Sequence, residues 1–149
     1  MGTLSDFLMG RRVYLDANIF IYALEGLEPW PTILRDVFSS IDAGMFSAVT
    51  SELSLAECLV RPFSLGREDI AGQYRCALQP RPTLTVAPIC TDILVSAARL
   101  RGSTGLKLPD AIHAATAHAS TCSAFLTNDT GFCRLQSIDV VLLSKWVAR

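Results

Sequence analysis

The chain is predicted to adopt an α/β fold, an α/β/α sandwich around a mainly parallel central sheet. Three observations predict it. Short runs rich in β-branched and aromatic residues alternate with longer amphipathic stretches along the sequence. Half of the 149 residues are apolar, enough to bury a sizeable core. No repeat, low-complexity tract or long linker divides the chain, so residues 1–149 are expected to form a single domain.

Each element follows from local chemistry. RVYLD (12–16) has the composition of a short strand, and NIFIYALEG (18–26) then turns helical with Gly26 as its C-cap. EPWPTILRDVFSSIDAG (28–44) reads as a helix entered through prolines and closed by Gly44. MFSAVT (45–50) is a strand, and SELSLAECLVR (51–61) is a helix that Pro62 should stop. A helix over 67–78 precedes the turn QPRPT, the strand LTVAP (84–88) and a helix over 90–101 ending near Gly102. LKLPDAIHAATAHA (106–119) is a helix of small residues entered through Pro109. The strand SAFLT (123–127), a short segment NDTGFCRLQ and the strand DVVLLS (139–144) complete the pattern.

Composition narrows the class of function. Thirteen basic residues face fourteen acids, a net charge of −1 that argues against a broadly basic nucleic-acid surface. Were four acids gathered around a metal, ten would remain against thirteen bases, eleven of them Arg, which is compatible with phosphate recognition. The five cysteines (Cys58, Cys76, Cys90, Cys122, Cys133) are odd in number and never spaced CxxC, so neither a zinc site nor a disulfide framework is expected. No apolar run is long enough for a membrane span, and the N-terminal charges follow the apolar piece, the reverse of a secretory signal. A cytoplasmic protein with reduced thiols is expected.

Four acids stand where an α/β sheet gathers ligands, or on nearby helices. Asp16 closes the first strand, Asp129 follows SAFLT, and Asp110 sits behind Pro109 at a helix start. Each taken alone could equally cap a helix or form a turn. Glu57 shares a helical face with Leu53, Ala56 and Val60, where an ionised carboxylate is costly unless paired or bound to a metal. A boundary position reaching solvent, or a capping box from Ser54, are the alternatives. Four carboxylates converging on one point would repel unless a hard divalent cation such as Mg²⁺ or Mn²⁺ sat among them. His113 and His118 lie five apart and miss the HExxH spacing.

The segments YLDANIFIYALEG, TSELSLAECLVRP, LKLPDAIHAATA and FLTNDTGF resemble, in order and approximate spacing, the PIN-domain ribonucleases, and in particular the VapC-like toxins of type II toxin–antitoxin systems. The resemblance spans about residues 12–144. It implies a Mg²⁺- or Mn²⁺-dependent endoribonuclease with one or two ions, in which activated water attacks phosphorus in line to leave a 5′ phosphate and a 3′ hydroxyl. The family's acidic set maps to Asp16, Glu57, Asp110 and Asp129, with Asn18 and Thr127 supporting. Ala17 departs from the Thr of many relatives and removes one hydroxyl near the site. The same resemblance implies a homodimer and a cognate antitoxin. Phe20, Trp30, Ile33 and Phe38 would contact the antitoxin unless they fill the core. Arg61, Arg67, Arg75, Lys107 and His113 are candidates to meet RNA.

Three other readings stand beside it. A haloacid-dehalogenase-type phosphatase also begins at a strand ending in Asp, but its DxD pattern needs an acid where Asn18 stands, and Lys107 and Lys145 form no lysine motif. The same fold without catalysis would be a binding module. A PIN nuclease serving RNA processing rather than toxicity has the same residues.

Overall fold

The computed structural model describes residues 2–147. In chain order the elements are α1 (Leu4–Leu8), β1 (Arg12–Leu15), α2 (Ala17–Glu25), α3 (Pro31–Asp42), β2 (Ser47–Ser51), α4 (Glu52–Ser64), α5 (Glu68–Ala77), β3 (Leu84–Ala87), α6 (Thr91–Thr104), α7 (Leu108–Ala119), β4 (Ala124–Thr127) and β5 (Asp139–Leu142). Short 3-10 turns cover Thr130–Arg134 and Leu143–Trp146.

The five strands form one all-parallel sheet in the order β3-β2-β1-β4-β5. Side chains alternate across it, so Val13 and Leu15 join the core formed with α1 to α5, whereas Tyr14 faces α7. Ile93, Ala97, Leu106, Ala111, Ile112 and Ala115 form a second core between α6 and α7. Helices on both faces explain why the strands are buried almost throughout, as parallel sheets require. From β1 the chain winds outward through β2 to β3, then returns to place β4 on the other side of β1. The crevice above the β1–β4 junction is therefore the switch point at which such sheets bind ligands.

Three boundaries differ from the sequence expectation. Pro62 does not stop α4, which continues to Ser64. Proline in the final turn forfeits only the bond its own nitrogen would have made, and Pro62 is buried there, so packing outweighs the loss. Gly102 lies inside α6, and the stop is Gly105, which takes the left-handed conformation at φ 76°. The Thr104 hydroxyl, bonded to the Leu100 carbonyl at 2.7 Å, carries the helix past Gly102. The third difference is α1, which was not anticipated. Its signal was available: Thr3 and Asp6 form a reciprocal capping box.

Candidate functional site

Asp16 leaves β1 and becomes the N-cap of α2 in one step. Its Oδ1 accepts the backbone N–H groups of Asn18 and Ile19 at 3.0 and 3.4 Å, satisfying donors that the first turn of a helix leaves open. Its Oδ2 accepts the Thr127 hydroxyl. Only 4% of Asp16 is exposed. Burial pushes its carboxyl up to about 6, against the opposing effects of Thr127, His113 and the two backbone donors. A carboxylate held this way is capped, oriented and short of counter-charge.

Thr127, the last residue of β4, sits beside it because β4 pairs with β1. The same hydroxyl that donates to Asp16 accepts the backbone N–H of Asp129 at 3.0 Å. Asp129 is exposed, and its Oδ1 accepts from Gly131 at 2.8 Å, so it caps the 3-10 turn beyond β4. One buried hydroxyl thus ties the two acids on neighbouring strands.

Asp110 stands in the first turn of α7, behind Pro109, with no side-chain capping bond at that helix start. It is half-buried, and its carboxyl is pushed up by desolvation first and then by the charge of Asp129. Glu57 adds in the same direction, while His113 and Lys107 oppose it. Glu57 reaches in from α4. Asp16, Asn18, Glu57, Asp110, His113 and Asp129 together line one cleft of about 210 Å³, with Ile21 and Phe132 as apolar walls. Elements far apart in sequence are brought to one place.

Several sequence expectations need correction. Glu57 is not the costly buried acid: its side chain is 37% exposed, and Val60 on the supposed apolar face is 68% exposed. The strained carboxylate is Asp16. His113 does not meet solvent as an RNA contact would. It is 2% exposed, with Nδ1 2.6 Å from the Tyr14 hydroxyl and Nε2 2.5 Å from Glu57 Oε1. Sequence reading missed Tyr14 altogether, although its place on the α7 side of β1 follows from strand alternation. Arg67 is committed to a forked pair with Asp69 at 3.0 and 2.9 Å, outside the cleft. Arg61 and Arg75 are exposed but do not line the cleft, whereas Lys107 is exposed at the start of α7 beside Asp110. Phe20 is buried, and Trp30, Ile33 and Phe38 pack against the core. Exposed apolar side chains lie instead at the end of α4, at Val60, Phe63 and Leu65.

The donor set suits a hard divalent cation: every acidic ligand is oxygen, and no cysteine lines the cleft. Among the described residues the acids share the cleft without being gathered into a tight ligand cage. A cation would remove the penalty that raises Asp16 and Asp110. The residues fit the group.

Comparison with known proteins gives a consistent picture. The family model described as PIN domain matches residues 13–138. A toxin-antitoxin complex from Klebsiella pneumoniae is 26% identical, the match covering 87% of this chain and 95% of that one at a TM-score of 0.64. DNA-bound VapBC from Salmonella typhimurium is 18% identical, with 88% and 97% covered and a TM-score of 0.70. VapC20 of Mycobacterium tuberculosis, described as a sarcin-ricin loop cleaving toxin, is 11% identical, with 86% and 98% covered and a TM-score of 0.70. These likenesses establish the shared α/β/α fold. No curated protein matches the chain.

Proposed function

Since the chain belongs to the PIN-domain family, we propose that it is a Mg²⁺- or Mn²⁺-dependent endoribonuclease and the toxin of a toxin–antitoxin pair. The observation that carries the reading is the single cleft at the sheet switch point lined by Asp16, Glu57, Asp110 and Asp129. Asp16, Glu57 and Asp110 would hold one or two cations, with Asp129 contributing from the rim. A divalent cation bound there supplies Lewis acidity toward the phosphodiester.

The protein's own groups do the rest. Backbone N–H groups and Thr127 fix Asp16 before substrate arrives, so no reorganisation is needed at the moment of reaction. Asp129, exposed at the rim, would take the proton of the attacking water. The new bond forms at phosphorus as the bond to the 3′ oxygen breaks, and the departing oxygen takes a proton from solvent, leaving a 5′ phosphate and a 3′ hydroxyl. Lys107, beside Asp110, offers a positive charge to a neighbouring phosphate.

The partner reading rests on two of the neighbours, which are toxin–antitoxin complexes. A cognate antitoxin would cover the cleft, with the exposed Val60, Phe63 and Leu65 as apolar anchors at the end of α4. A homodimer in the cytoplasm completes the reading. No helix among the described residues is long and apolar enough to cross a membrane.

Incubation of the purified protein with cellular RNA, followed by mapping of the new ends, tests the activity. Cleavage leaving 5′ phosphates is expected with Mg²⁺ or Mn²⁺ and its loss on chelation. Cleavage unaffected by chelation would overturn the cation requirement. Intact RNA under every cation would favour the silent binding module.

A further inference from the structure

Of the residues around the cleft, His113 and Tyr14 have no part in the chemistry so far described, yet they form a buried polar chain that ends on an acid. An ionised carboxylate can only accept, so the contact at 2.5 Å requires His113 Nε2–H to donate to Glu57 Oε1. Nδ1 meets the Tyr14 hydroxyl at 2.6 Å, a group that can either donate to it or accept from it, so the contact holds the ring in both of its forms. Tyr14 is itself locked, fully buried and stacked on Phe125 with ring centroids 4.9 Å apart. The chain runs from the centre of the sheet, through α7, to a side chain on α4.

Glu57 needs such a hold more than Asp16 and Asp129 do. Asp16 is fixed by three donors and Asp129 by its own turn. Glu57 has three rotatable bonds, a half-exposed side chain and no hydrogen bond among the described residues other than that from His113. Engaging Oε1 leaves Oε2 without a donor among the described residues. A His donating to a carboxylate that faces a cation site is the arrangement by which outer groups orient ligands.

We propose that His113, held by Tyr14, is a positioning residue that fixes the Glu57 carboxylate toward the cleft for cation binding. This rests on the reading of the cleft as a cation site. It assigns the histidine a role distinct from RNA contact.

The test uses Mn²⁺ alone as probe, its free concentration read by electron paramagnetic resonance, with melting curves of the cation-free proteins beside it. His113→Leu removes the donor and is expected to weaken Mn²⁺ binding about tenfold to a hundredfold. Tyr14→Phe keeps the stacked ring, removes only the hydroxyl, and should weaken binding less but in the same direction. His113→Gln retains an N–H within reach of Glu57 and should recover most of the affinity lost in His113→Leu, a recovery that mere packing would not give. If His113 acts through Glu57, adding His113→Leu to Glu57→Gln changes binding by less than about twofold. Mn²⁺ affinity of folded His113→Leu within twofold of wild type overturns the proposal, as does an undiminished loss in the Glu57→Gln background. Should His113→Leu fail to fold, Tyr14→Phe with unchanged affinity overturns it instead. Absence of Mn²⁺ binding by the wild-type protein itself overturns the cation-site reading as well.

Discussion

Asp16→Asn is expected to abolish RNA cleavage while making the cation-free protein more stable at neutral pH. The two effects have one origin. Asp16 is almost fully enclosed, and burial raises its carboxyl from 3.8 to about 6. A raised carboxyl favours the fold while it is protonated, so its contribution is complete below about pH 4. That contribution fades as pH rises through about 6, where the buried group must ionise. The difference of about two pKa units corresponds to roughly 2 to 3 kcal/mol. Asparagine caps a helix as well as aspartate and carries no charge, so its Oδ1 keeps the bonds to Asn18 and Ile19 without that penalty. Its Nδ2 can only donate toward the Thr127 hydroxyl, which offsets part of the gain. Melting curves from pH 4 to 8 should therefore flatten in the variant, with a net gain at pH 7. Added Mn²⁺ should stabilise the wild type and leave the variant unmoved. Asp110→Asn should lose cleavage in the same way. Wild-type cleavage by folded Asp16→Asn would remove the acid from the mechanism.

Thr127→Val should also be severe, for a different reason. The side chains are nearly isosteric, so packing is retained while one hydroxyl is lost. That hydroxyl is buried, donates to Asp16 and accepts from the Asp129 backbone. Leaving such groups without partners costs on the order of 1 to 3 kcal/mol each. Thr127 is also the largest influence holding the Asp16 carboxyl down against burial. Without it the carboxyl moves further above 6. The acid limb of the pH–rate profile should shift to higher pH, and activity at neutral pH should fall. Thr127→Ser retains the hydroxyl and should restore both stability and profile. An unshifted acid limb in Thr127→Val would show that the hydroxyl does not govern Asp16.

The residues most legible in the sequence were those whose place follows from chain direction. Asp16 and Asp129 come just after β1 and β4, and adjacent parallel strands deliver both to the same edge. Asp110 was legible because proline marks the helix start, though the expected capping role is not taken up. Glu57 was found for the wrong reason. Periodicity identifies a face of α4 but not whether anything covers it, and Val60 shows that this face is largely open. The Tyr14–His113 contact was not legible, since it joins residues 99 positions apart and depends on which helix packs on which side of the sheet. Pro62 and Gly102 misled for a related reason: local propensity, about 1 kcal/mol for glycine and about 3 kcal/mol for proline, gives way when the surrounding turn is packed or bonded.

Crystals grown with Mn²⁺ and measured at a wavelength that excites its anomalous scattering provide the most direct test. A peak is expected in the cleft bounded by Asp16, Glu57, Asp110 and Asp129, with carboxylate oxygens drawn in around it. A cleft without a peak at saturating Mn²⁺, or a peak bound elsewhere, would contradict the assignment of these four acids as one cation site.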